Sequence, residues 1–323
     1  MRLLSDTIHA LGILTLALNV KLCLENRSTM PKLSNDVPEA IRPYKFHGCE
    51  LEIRGSEAVG DCPLCGKEDK FSVNVESSLA QCFTCGVKTN GKGFIRILHE
   101  RSFESTEDYE HLVNNRGIEE ETFDEWGVCK SVTTNDWIVP AYNPEGNTHT
   151  LYRWIRYNGS ANLLLTPTFG HGIFGVSTLT QGQEVFITEG PWDAMRLWQE
   201  FRESDSHDHR DVLGVPGCGT WVDSWYRYIA GKDVRICFDN DHPKKQCKGC
   251  RKTYPHNEEI CPHCGSRDVL TELPPRGYEA SLTLARKLSA HGSPQSISIL
   301  QWGEQGYTES LPNGYDVRDL LNA

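Results

Sequence analysis

Several things are scarce in this chain. Methionine accounts for only 3 of its 323 residues. No run approaches the roughly 20 consecutive apolar residues that span a bilayer, so membrane partners are set aside. No segment repeats at a fixed period, and low-complexity sequence is limited to the charged stretch "ESDSHDHRD". No G-x-x-x-x-G-K-[ST] string occurs, so a P-loop motor is not expected within the chain. Excess basic charge is also missing. With 33 Lys and Arg against 44 Asp and Glu the net charge is −11, which excludes a basic coat protein of nucleic acid. Any contact with a polyanion must be local or bridged by divalent cations.

The remaining composition is that of an ordinary soluble protein, 38% apolar and 24% charged, and its length allows two or three domains. Cysteine is the exception. There are 13, and eight of them form four C-x-x-C pairs, the spacing of metal ligands in a reducing compartment rather than of a disulfide scaffold. A cytoplasmic location is the expectation. The first residues, "MRLLSDTIHALGILTLALNV", carry an apolar run but no small-x-small cleavage site after it. Residues 1–29 read as a leader outside the working protein, which is expected to start near Met30.

Cys62-Pro-Leu-Cys65 is followed after sixteen residues by Cys82-Phe-Thr-Cys85. Two such knuckles on adjacent hairpins make a closed tetrahedral Cys₄ site, the structural type of zinc. A pair of redox C-x-x-C motifs is the rival, but neither pair sits at a strand-to-helix junction. Lys67, Lys70, Phe71, Lys88, Lys92 and Arg96 lie around this cluster. Cations interleaved with aromatics suit single-stranded nucleic acid, although a solvated face has the same composition. A second quartet, Cys247-x-x-Cys250 and Cys261-x-x-Cys264, has ten residues between its pairs and reads as a second structural zinc ribbon. Cys23, Cys129, Cys218 and Cys237 are expected to be packing residues.

Residues 101–130 look helical and acidic. "WIVPAYNPEGNTHTLYRWIRY" then reads as two strands around an Asn-Pro-Glu-Gly turn. After Gly182 strands alternate with helices: "EVFIT", "PWDAMRLWQEF", "VLGVPG", "DVRICF", "YEASLTLARKLSAH", "SISILQW". That alternation predicts a mostly parallel, Rossmann-like sheet with functional residues at the strands' C-terminal ends. Glu189 follows the first of these strands, and Asp239 and Asp241 follow "VRICF". Three carboxylates converging there repel one another unless a hard cation lies between them. Mg²⁺ or Mn²⁺ with phosphate ligands is the natural occupant, and phosphoryl or nucleotidyl transfer the natural chemistry. Capping or turn roles for the aspartates are the plainer alternative.

"VFITEGPWDAM" followed by "VRICFDND" resembles the Toprim domain of DnaG-type primases, topoisomerases and some nucleases. A Cys₄ ribbon first, then "NNRGIEEETFDEWGV", then the β-rich run leading to "LLTPTFGHGIFG", is similar in order to bacterial and phage DNA primases. "YDVRDLLN" matches a closing motif of the fold, which brings Asp316 and Asp319 toward the crevice. Residues 243–276 read as an insertion: without them "FDNDH" runs directly into "GYEASLTLARKL".

The expected organisation is α/β overall. A zinc-ribbon DNA-binding domain spans 30–100, and a mixed α+β region, the N-terminal part of the polymerase core, spans 101–183. A Toprim domain at 184–323 carries the second ribbon at 243–276. The resemblance implies RNA-primer synthesis on single-stranded DNA from ribonucleoside triphosphates, a phage or mobile-element origin, and a separate replicative helicase as partner. It implies that Glu189, Asp239 and Asp241 hold the divalent cation and that Asp193, on the first turn of the following helix, orients a ligand or metal water. The basic inserted ribbon would either hold a strand or simply be stapled by zinc. Two departures stand out. The first ribbon has four cysteines where many relatives have a histidine, with His47 and Cys49 off the spacing. Asn162 stands near where many relatives have a basic residue, which shifts the expected template contact to Arg153 and Arg156. A Toprim nuclease and an inactive single-strand binder are the rival readings.

Overall fold

The computed structural model describes residues 36–157, 160–204 and 209–323, without the side chains of 156–161. The expected leader, Cys23 and the side chain of Arg156 therefore lie outside the described residues.

The first unit begins with α1 (Arg42–Phe46). A five-stranded antiparallel sheet follows in the order β1 (Leu51–Arg54), β2 (Glu57–Gly60), β3 (Phe71–Asn74), β4 (Ala80–Cys82) and β5 (Lys88–Thr89). Helix α2 (Gly91–Glu104) closes it, capped by Asn90, whose side chain accepts from the Gly93 N–H at 3.0 Å. Tyr44, Phe71 and Phe94 pack their rings 4.6–6.3 Å apart between sheet and helices. Phe71 is thus fully buried, and the expectation that it interleaves with surface cations is corrected. It is the inward residue of a strand with one face on a core.

Helices α3 (Glu110–Arg116) and α4 (Glu120–Glu125) lead into a second antiparallel sheet. Its order is β6 (Cys129–Lys130), β7 (Trp137–Tyr142), β8 (Thr148–Tyr157) and β9 (Ser160–Leu165). The β7–β8 turn is held by Asn143, whose Oδ1 accepts from Glu145 and Asn147 N–H groups at 3.1 and 3.0 Å. All six residues of β7 are buried, because both faces of this sheet are covered. Ile138 and Leu151 join the core of the first unit, while Trp137, Val139 and Tyr152 join a core shared with α3, α4 and the C-terminal unit.

Arg153 illustrates the consequence. Expected on the surface as a template contact, it is 6% exposed and ion-paired to Asp136, and it donates to the Phe46 carbonyl at the end of α1. A cation there satisfies a helix-terminal carbonyl and bolts the first unit to the second sheet. His47 adds a buried 2.9 Å bond to Thr166 across the same joint.

The C-terminal unit has a parallel sheet in the order β11, β10, β12, β16. The strands are β10 (Glu184–Glu189), β11 (Arg210–Val215), β12 (Asp233–Cys237) and β16 (Ser296–Ile299). Helix α5 (Pro191–Glu203) lies on one face with Met195, Trp198 and Phe201 in the shared core. Helix α6 (Arg276–His291) covers the other face with Leu284 and Leu288. Between β12 and α6 the chain forms a separate antiparallel sheet, β14 (Thr253–Pro255), β13 (Lys244–Cys247) and β15 (Val269–Leu273). The short helix α7 (Val317–Leu321) packs on α5. Among the described residues no helix is long and apolar enough to cross a membrane.

Replacing Arg153 with alanine strands Asp136 and the Phe46 carbonyl in a buried joint. The expected loss is about 3 kcal/mol of unfolding free energy in a denaturant titration, at the lower end of the range for a broken buried pair.

Candidate active site

The connections from β10 and β12 leave toward opposite faces of the sheet, so their C-terminal ends flank a switch-point crevice, the place where open α/β sheets bind ligands. Glu189 ends β10, and Asp239 and Asp241 follow β12. Two close approaches fix these ends. Gly190 adopts φ +92°, and its carbonyl lies 2.5 Å from where a Cβ on Gly214 would be, so β11 presses directly on the turn after Glu189. A Cβ on Gly277 would fall 2.4 Å from the Asp239 carbonyl; the bare α-carbon lets α6 start against the acidic motif, where its Gly277 N–H donates to Asp241 Oδ2 at 3.0 Å.

Between the two aspartates sits Asn240, fully buried. Its backbone pairs with the Tyr315 carbonyl and Gly314 N–H at 2.8 and 2.9 Å. Its amide donates to the carbonyls of Thr308 and Pro312 at 3.0 and 3.1 Å and accepts from the Thr308 N–H at 2.9 Å. This ties the acidic turn to the 308–315 loop and delivers Asp316, which caps α7 by accepting from the Asp319 N–H at 2.7 Å. Asn240 is the residue that sequence reasoning passed over; its position between two acids in "FDND" was the available signal.

The carboxylates feel one another. Burial, then the charges of Glu189, Asp316 and Asp241, push Asp239 up to about 8. Burial and Asp241 raise Glu189, while burial, Asp316 and Asp239 hold Asp193 well above the carboxylate range. Burial also raises Asp316, against the pull of Arg318. The four predicted acids, Glu189, Asp193, Asp239 and Asp241, thus share one electrostatic neighbourhood, with Asp316 added. Arg276 and Cys218 also lie in it: burial, then Glu189, raises the Cys218 thiol, and Arg276 opposes that rise. Cys218 packs in the core of the C-terminal unit, as expected, and also borders the crevice.

The donor set, all carboxylate oxygen with surplus negative charge, fits Mg²⁺ or Mn²⁺. Among the described residues only the cysteine quartets gather three or more ligand atoms within 4.8 Å. The acids stand wider than that, so as placed they cannot all touch one ion directly, and waters would complete its shell.

Both quartets fit zinc. Zn–S bonds of about 2.3 Å require tetrahedral S···S edges of roughly 3.8 Å. The Sγ separations are 4.0 Å for Cys62–Cys85, 3.8 Å for Cys65–Cys82, 3.5 Å for Cys247–Cys264 and 3.7 Å for Cys250–Cys261. Burial alone would raise Cys82, but the N–H groups of Cys85 and Thr84, at 3.5 and 3.4 Å, bring it down to about 6. In the second site the Cys250 N–H, against burial, does the same for Cys247, again to about 6. One thiol in each quartet is thus held within reach of ionisation at neutral pH, and a bound metal would drive ionisation of the others.

Around the first quartet Lys67, Lys70 and Lys88 are exposed, and Arg96 pairs with Glu100 at 3.7 Å. The exposed aromatic is Phe83 inside the second knuckle, 70% exposed, beside Leu79 at 60%. With Lys88 and Asn90 they line a hollow of about 820 Å³.

No protein-family model matches the chain, and no curated protein matches its sequence. Solved structures do. The zinc-binding and RNA polymerase domains of Aquifex aeolicus primase match at TM-score 0.43 and 13% identity, over 89% of this chain and 81% of that one. The primase fragment of the bacteriophage T7 primase-helicase matches at 0.39 and 14%, over 82% and 94%. The DnaG primase catalytic domain bound to single-stranded DNA matches at 0.45 and 11%, over 72% and 76%. These three are primases.

Two measurements check the site. Elemental analysis is expected to give two zinc ions per chain, with Cys62→Ser and Cys247→Ser each losing one. The second follows from the raised acids. A carboxyl whose folded pKa lies near 8 instead of 3.8 is protonated in the folded protein and ionised in the unfolded chain between those values. The unfolded state therefore gains as pH rises through that window. Magnesium-free protein is expected to melt at progressively lower temperature from about pH 5 to pH 8. Added Mn²⁺, which binds the ionised form, should raise Tm most at the alkaline end.

Proposed function

We propose that this protein is a DNA primase, making short RNA primers on single-stranded DNA. The observation that carries the reading is the joining of Glu189, Asp239 and Asp241 at the switch point of a parallel sheet, on the chain pattern that resembles the Toprim domain. A Cys₄ unit with an exposed aromatic and cations precedes it. The C-terminal unit is read as the Toprim domain, residues 243–276 as its inserted ribbon, and residues 101–183 as the start of the polymerase core.

Glu189, Asp239 and Asp241 would hold Mg²⁺ or Mn²⁺. A divalent cation bound there supplies charge neutralisation for a nucleoside triphosphate and for the oxygens of the bond that breaks. The chain's own residues do the rest. Asp193, which feels the charges of Asp316 and Asp239, orients a ligand or a water of the metal, and Asp316 adds its charge to the same crevice. Burial of the crevice strengthens each electrostatic contact to the triphosphate. Lys67, Lys70 and Lys88 with Phe83 form the surface for the template, phosphates on the cations and a base on the ring. Arg153 takes no part in this, since its guanidinium is spent on Asp136 and Phe46.

Primer synthesis tests the reading. The purified chain, a single-stranded DNA library, labelled ribonucleotides and Mg²⁺ are expected to give short RNA products, reduced at least a hundredfold by Asp239→Ala. Cleavage of labelled DNA without RNA products would move the assignment to a nuclease.

A further inference from the structure

A groove of about 650 Å³ runs from the acidic crevice along the joint between the inserted ribbon and α6. One wall is a single face of α6, on which Arg276, Ala280, Thr283 and Lys287 recur at helical spacing. The other wall is the ribbon, through Lys244, Thr253 and Leu273, and Trp221 lies at the base. Without the insertion this groove has no second wall.

Its chemistry is that of a strand of nucleic acid. Arg276 borders the crevice, within the field of Glu189 and Asp241. Lys287 stands eleven residues further along the helix, about 16 Å away at 1.5 Å per residue. The Trp221 carbonyl at 3.0 Å and Asp223 at 3.3 Å hold it there, and its third N–H is left for a ligand. Between the two cations the surface is mostly apolar, broken by Glu279 and Thr283. A protein of net charge −11 has thus placed Arg276, Lys244 and Lys287 around one channel. Cations at both ends with apolar surface between them match phosphates separated by bases. A mononucleotide would engage only one end. The length exceeds one nucleotide even at the stacked rise of about 3.4 Å.

One lining group opposes phosphate. Glu279, exposed in the groove, is a hydrogen-bond acceptor that only a donor on the ligand can use. The ribose 2′-hydroxyl is such a donor, and it is what distinguishes RNA from DNA. We propose that the ribbon and α6 form a channel for a single RNA strand leaving the acidic crevice. The choice of a strand that leaves rests on the polymerase reading given above; the capacity to bind RNA does not.

Cross-linking locates the strand and binding measures it. The full chain is mixed with a 4-thiouridine RNA hexamer in magnesium-free buffer without chelator, so that zinc stays bound, and irradiated before peptide mapping. Cross-links to Trp221 or within residues 273–287 are expected; cross-links confined to residues 62–90 overturn the channel. In fluorescence anisotropy Thr283→Trp, which plugs the groove from an exposed helical position, and Lys244→Glu should each weaken binding of the RNA hexamer at least tenfold. Asp239→Ala should leave it intact. Wild-type affinity in both groove variants, or equal affinity and equal loss for the DNA hexamer, overturns the proposal. RNA bound in the groove by a protein that makes no primer would overturn only the polymerase reading.

Discussion

Everything in the C-terminal unit answers to the repulsion among carboxylates gathered at the ends of β10 and β12. Glu189 and Asp239 are held where burial and the charge of neighbouring carboxylates, Asp241 among them, make ionisation costly. Such an arrangement persists only if the backbone around it is over-determined. Gly190 against β11, Gly277 against Asp239, and the buried Asn240 bonded on every side supply that constraint. Removing the Asn240 amide would leave the Thr308 N–H without its partner, at about 1–3 kcal/mol if that group stays dry, while the Thr308 and Pro312 carbonyls keep His242 and the Tyr315 N–H.

The same constraint shows where the chain can make a long excursion. The turn after Asp241 is locked from both sides: Asn240 holds it to the 308–315 loop, and Gly277 holds α6 to it. Between His242 and Arg276 the chain is free to leave and return without disturbing either lock. The three-stranded ribbon does so, and its small core of Cys247, Tyr254 and Cys261 cannot bury enough surface to fold on hydrophobic grounds alone. A metal at the Cys₄ site then becomes the ribbon's folding energy. The first ribbon differs, because Cys62 and Cys82 belong to a core that extends through Phe94 and Leu98 to Ile138 and Leu151.

Much of this was legible in the sequence, for identifiable reasons. The cysteine quartets were legible because ligand spacing is local. The parallel sheet was legible because apolar runs of five or six residues alternated with amphipathic helices, and the acidic residues because they stood at the ends of those runs. What failed depended on which face a side chain takes in three dimensions. Arg153 and Phe71 were read as surface groups. No local pattern announces that β8 packs the first unit on one face and a Trp-rich core on the other. Phe83 was missed because a residue between two cysteine ligands reads as part of the knuckle. Cys218 packs as read, but its neighbourhood with Glu189 and Arg276 was not legible because nothing nearby in sequence pairs them.

The position of Arg276 connects these strands of argument. It is the first residue of α6 and follows closely on the last ribbon strand, so the ribbon's exit sets where its guanidinium lies. There it interacts with Cys218, Glu189 and Asp241, a cation that partly offsets the acids before any metal arrives. A cation at a helix N-terminus is disfavoured by the helix dipole, which makes the neighbouring carboxylates its compensation. The ribbon is therefore more than an appendage: its geometry and the charge balance of the crevice are joined through one side chain. Loss of zinc from the second quartet should accordingly be felt at the acids even though no cysteine of that site touches them.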